Sequence, residues 1–200
     1  MGVLFMKSKK GFSLVEMIVV LAIIGILMAI LIPTWSYFIM RANVRSQNNY
    51  SKVIFNAAQT QATREKFYER ENYNIANDTT KTVTERNAAK NELFVGKESD
   101  FYIYWNGHKG YLLMADGETI DTSVTPAVQT KVDDFVKSIN KVFSQSSETV
   151  YKIYIKDYKV KSVCSGRSEG TENIGSYPEI QEGRSKNKTV QTFDMDSIKH

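Results

Sequence analysis

The chain has 200 residues, 42% of them hydrophobic and 24% charged, with a formal net charge of +4. Its single cysteine, Cys164, excludes an intrachain disulfide, and only two histidines, His108 and His200, leave no His/Cys cluster for a transition metal. No phosphate-binding glycine loop and no nucleophile-elbow sequence is present, so no enzyme is expected.

The first predicted element is a membrane-crossing helix. Behind Lys7, Lys9 and Lys10, Met17 to Ile32 is apolar throughout, and no charge follows until Arg41. A bilayer core needs about 20 mostly apolar residues, and a backbone in lipid satisfies its own hydrogen bonds as helix. A removable signal peptide would need a small-x-small cleavage pattern after the run. The residues there are Ile32-Pro33-Thr34-Trp35-Ser36-Tyr37, and Cys164 lies too far downstream for a lipoprotein cut, so the run is expected to stay. Glu16 opens it. An ionisable group inside a span costs about 2.5–3.5 kcal/mol for Asp, Lys or Arg at the helix centre, so it calls for a partner.

"KKGFSLVE", Lys9 to Glu16, resembles the cleavage site of type IV prepilins and pseudopilins. The resemblance covers Lys7 to about Tyr50. It rests on the basic leader, the Gly11-Phe12 junction, Glu16 at fixed spacing, the unbroken apolar run and Pro33. It implies that a prepilin peptidase removes residues 1–11 after Gly11 and methylates the new N-terminus at Phe12. It implies that residues 12–40, with Glu16, Gly25 and Pro33, form the transmembrane and assembly helix. Glu16 would pair with the Phe12 amine of a neighbouring subunit and set the stagger of a filament. Without Lys7, Lys9 and Lys10 the net charge falls to near +1, so the basic balance is no nucleic-acid signature.

Arg41 to Glu71 contains no proline or glycine, and Val44, Tyr50, Val53, Ile54, Ala57, Ala58 and Phe67 recur at helical spacing. This amphipathic helix is expected to continue the span as one rod bent at Pro33. Residues 72–98 read as a polar surface connection, with a short helix near Thr84–Leu93 supported by Thr82 and Glu85 at capping-box spacing. The β-rich head, residues 99–200, opens with Phe101–Trp105 and Tyr111–Ala115 around Asn106-Gly107, a hairpin signal. Residues 126–144 predict a second amphipathic helix started by Pro126. Glu148 to Gly166 supplies one or two strands turning near Lys156-Asp157, residues 165–188 read as loop, and Thr189–Phe193 as a short edge strand. The fold class is therefore α+β, a long N-terminal helix on an antiparallel sheet, which is also what the resemblance implies. The helix at 126–144 is additional to it.

Three features of the head invite a ligand. His108 in the hairpin turn reads as solvated. Some pseudopilins bind calcium, but Asp116, Glu118 and Asp121 lack the regular spacing of an oxygen-ligand loop, so no metal or cofactor is assigned. Lys152, Lys156, Lys159 and Lys161 alternate with Tyr151, Tyr154 and Tyr158, followed by Arg184, Lys186 and Lys188, which suits DNA or another polyanion. The plainer reading, a strand with a lysine-rich outer face, is preferred.

The function expected is a structural subunit, pilin or minor pilin, of a type IV pilus-like filament. It would begin as a single-pass inner-membrane protein with a cytoplasmic N-terminus and an extracytoplasmic head. Its partners would be other pilin subunits, the prepilin peptidase, the membrane platform and the assembly ATPase. The alternatives are a pseudopilin of type II secretion or of competence, and, outside the family, a monomeric membrane-anchored binding protein.

Overall fold

The structure, a computed structural model, describes residues 11–94, 101–142, 149–185 and 188–198. Leader residues 1–10, the Phe143–Ser144 end of the expected helix, Lys186 and His200 lie outside them. The chain divides into two compact units, Met1–Ile39 and Met40–His200.

Helix α1 runs Leu14–Tyr68 and passes through Pro33 without interruption. In the first unit it is the one described element, and every described side chain from Gly11 to Ile39 is exposed. In the second unit it buries Val44, Gln47, Asn48, Ser51, Ile54, Ala58 and Ala62, one stripe at helical spacing. The stripe differs from the expected one. Val53 and Phe67 are exposed, and three polar residues take part, because β-strand polar groups meet them: Ser51 Oγ lies 2.9 Å from Ser165 Oγ, and Asn48 Oδ1 accepts the Ser176 amide at 2.8 Å.

The expected connection at 72–98 begins as helix. Helix α2, Arg70–Asn77, follows α1 directly, and α3, Val83–Ala89, carries the full Thr82–Glu85 capping box. Glu69 marks the break between α1 and α2. Its backbone stays helical while its side chain turns inward, and in the Asn-rich α2 Asn72 Nδ2 donates to Glu92 at 2.8 Å.

Strands β1 (Phe101–Trp105), β2 (Gly110–Leu113), β3 (Val150–Lys156), β4 (Lys159–Gly166) and β5 (Gly175–Tyr177) form an antiparallel sheet in the order β2-β1-β3-β4-β5. In the first hairpin, Asn106 Oδ1 accepts the amides of His108 and Lys109, both at 2.9 Å, and Gly107 takes φ 95°. The second turns on Asp157 and Tyr158, both at positive φ without glycine. Tyr158 is held there by stacking on Phe94 at 4.6 Å and by its hydroxyl, which donates to Glu69 at 2.9 Å. Strand β5 lies in the stretch expected to be loop. Gly175 permits it: a Cβ there would stand 2.1 Å from the amide nitrogen of Asn48 on α1.

Alternation along the strands builds two cores. On one face Phe101, Ile103, Tyr151, Ile153, Ile155 and Val163 pack under α1 and α4, the latter running Pro126–Asn140 with a Thr125 cap. On the other, Tyr102, Tyr104, Tyr154 and Cys164 are covered by Ile174, Val190, Phe193, Met195 and Ile198. Thr189–Phe193, expected as an edge strand, forms instead a turn pinned by the Thr189 and Thr192 hydroxyls, and a short 3-10 helix, Met195–Ile198, follows.

Candidate assembly segment and head sites

Gly11, Phe12 and Ser13 precede α1 in extended or irregular backbone, and the helix opens with the Met17 amide donating to the Ser13 carbonyl at 3.2 Å. A side chain at Gly11 would meet nothing within 4 Å, so the glycine is not required by packing within the chain. The same holds for Gly25. Glu16 stands in the first turn, where a carboxylate is favoured by the helix dipole by about 0.3–1 kcal/mol at an exposed site. It lies four positions after Phe12, which precedes the helix.

α1 is the one helix, among the described residues, that is long and apolar enough to cross a membrane, and none of its apolar window is buried. Such a surface needs lipid or another protein. Pro33 lacks the N–H that would reach the Ala29 carbonyl. Next to it, the Thr34 hydroxyl donates to the Ile30 carbonyl at 3.0 Å, a back-bond of the kind that bends helices.

The structure separates the four lysines. Lys156 and Lys159 are exposed register partners flanking the Asp157-Tyr158 turn, and Lys161 is half-buried at the bulge. Lys152 does not belong to that set. It is 1% exposed, and its ammonium donates to the carbonyls of Gly117, Gln191 and Phe193 at 2.9, 2.7 and 2.6 Å. The supposed outer face is the second core layer, because the C-terminal segment covers it. Burial pushes the Lys152 pKa down, while three carbonyl acceptors match its three N–H groups. Beside it, burial pushes the Cys164 thiol up to about 12.

Glu69 escaped the sequence reading altogether. Its buried carboxylate accepts from the Leu93 amide at 2.9 Å, the Phe94 amide at 3.2 Å and the Tyr158 hydroxyl at 2.9 Å. Burial raises its pKa, against the pull of those donors. The acidic loop residues are equally committed: Asp116 accepts from the Glu118 and Thr119 amides, both at 2.9 Å, and Asp121 from the Ser123 amide at 2.9 Å. Among the described residues no group of three or more His, Cys, Asp or Glu is placed to hold a metal ion. His108 is exposed at its turn.

A family model described as "Prokaryotic N-terminal methylation motif" matches residues 6–32. A curated relative named "Fimbrial protein", from Moraxella nonliquefaciens, is 51% identical over 39 residues, a match spanning 20% of this chain and 25% of that protein. No solved structure matches. The likeness in sequence thus lies in a short segment and leaves most of the head uncovered, whereas the long helix and antiparallel sheet give a pilin-like α+β fold. At its N-terminus the chain carries the prepilin-type methylation motif of the type IV pilin and pseudopilin family.

Proposed function

We infer that the chain is a pilin or minor pilin, a structural subunit of a type IV pilus-like filament. One observation carries the reading: the methylation motif at residues 6–32 coincides with an apolar helix whose described side chains are all exposed and whose first turn holds Glu16. The prepilin peptidase cuts between Gly11 and Phe12 and methylates the Phe12 amine. In the membrane the N-terminus faces the cytoplasm and the head lies outside. The platform and its ATPase then pass the subunit into the filament, where lipid contacts are exchanged for contacts with neighbouring helices. Glu16 supplies the counter-charge for a neighbour's Phe12 amine, a charge-assisted hydrogen bond in an apolar layer.

The test joins two measurements. Mass spectrometry of membrane-extracted protein is expected to find the N-terminus at Phe12 with one added methyl group. Shearing the cells is expected to release the chain with surface filaments. A retained Met1 in a peptidase-competent host would sink the processing step. Correct processing with no chain in the sheared fraction would assign it to a pseudopilin confined to the envelope, or to a monomeric anchored protein.

A further inference from the structure

We propose that the cleft between the end of α1, α2 and the β3–β4 turn binds an acidic polysaccharide, a chain of uronate-type sugars, whatever the filament role of the N-terminal helix. The cleft encloses about 930 Å³, at the upper end of the usual range for ligand sites.

Its wall is a stripe at helical spacing. Lys66, Phe67, Arg70, Tyr73 and Asn74 follow one another across the α1–α2 junction, and Lys90 comes from the end of α3. The charges are unbalanced: these three cations face one carboxylate, Asp157, among the described lining residues. Nor do their side chains make a hydrogen bond or ion pair with the described residues, whereas Lys131 is paired with Glu92 and Arg184 with Glu172. The aromatics are equally unspent. Phe67 is 73% and Tyr73 51% exposed, although buried Phe94 and half-buried Tyr158 line the same cleft.

Chemistry narrows the ligand. Unpaired guanidinium and ammonium groups bind carboxylates by charge-assisted hydrogen bonds. Flat exposed rings cover the apolar faces of sugar rings, which an inorganic anion does not possess. The Asn74 amide offers both a donor and an acceptor to hydroxyls. A nucleic-acid strand fits less well. Its affinity grows with the number of phosphates neutralised, and three cations opposed by Asp157 neutralise few.

The experiment uses the full chain in detergent micelles, titrated calorimetrically with hexagalacturonate, neutral maltohexaose and oligo-dT. Saturable binding of hexagalacturonate is expected, with none of maltohexaose. Arg70→Ala and Phe67→Ala should each weaken it at least roughly tenfold, the loss of one charge-assisted contact or one stacked ring. Both side chains are exposed, so the unfolding midpoint should not move. Lys159→Ala, at the hairpin tip outside the cleft wall, should bind as the wild type does. Absence of hexagalacturonate binding overturns the proposal, as does wild-type affinity in both cleft variants. Tighter binding of oligo-dT than of hexagalacturonate would overturn it in favour of a nucleic-acid groove.

Discussion

The ammonium of Lys152 has three N–H donors, and the fold presents it with the carbonyls of Gly117, Gln191 and Phe193. Two of these belong to the C-terminal segment that covers the second face of the sheet, so one side chain ties that cover to β3. The Lys152→Met variant keeps the length of the stem and deletes every donor. Two buried carbonyls and the part-buried one of Gln191 then lose a partner, and each buried group left unsatisfied costs about 1–3 kcal/mol. A loss of roughly 3 kcal/mol is expected after partial rehydration. The denaturant midpoint of the full chain in micelles reads it, and hydrogen exchange should show residues near Val190 and Phe193 opening first. An unchanged midpoint would mean that the carbonyls find water at no cost. In the sequence the lysine among tyrosines suggested an outer face. What decided otherwise was the apolar set Val190, Phe193, Met195 and Ile198, which lies far along the chain and carries no local periodicity. Glu69 was hidden for the same reason: its donors are the amides of Leu93 and Phe94, which leave no mark in a sequence, and the hydroxyl of Tyr158, 89 residues away.

Elements with local signals were legible. The Asn106-Gly107 turn, the Thr82–Glu85 capping box and Pro126 at the start of α4 each state a backbone geometry in a few residues. Strand β5 and helix α2 were not, since each meets a distant partner: β5 meets β4 and the α1 backbone, and α2 meets Glu92 through Asn72. In α1 the informative position is Pro33. The helix continues through it although the Ala29 carbonyl has no amide donor there, and Thr34 back-bonds to Ile30 on the next residue. Proline in a helix interior costs about 3 kcal/mol. Pro33→Ala should therefore strengthen the helix in micelles, seen as slower amide exchange around residues 29–37, and leave cleavage at Gly11 intact. If the proline serves subunit packing, the same variant should alter filament dimensions or yield. Unchanged exchange would show that neighbouring side chains already compensate for the missing donor.

At the scale of the whole molecule, the proposed pairing of Glu16 predicts that its replacement separates two steps, processing and assembly. On the proposed reading, processing depends on the leader and on Gly11, where an added Cβ would meet nothing within 4 Å among the described residues. Glu16→Ala should therefore be cut and methylated at Phe12 as efficiently as the wild type. Insertion should become easier, because the ionisable group in the apolar run is gone. Assembly should fail for the opposite reason. Each Phe12 amine would enter an apolar layer without its counter-charge, and stranding one partner of a buried pair costs roughly 3–5 kcal/mol, two to three orders of magnitude in a subunit equilibrium. Glu16→Gln keeps the shape and an acceptor while removing the charge, so a partial defect is expected. The measurement is the ratio of the chain in sheared filaments to that in membranes, taken beside its processing state. It must follow this chain itself, because filaments built mainly of another pilin would survive the loss of a minor subunit. A Glu16→Ala chain that is processed and incorporated at the wild-type ratio would remove the pairing from the account of assembly. It would leave the exposed apolar helix to drive association through packing alone.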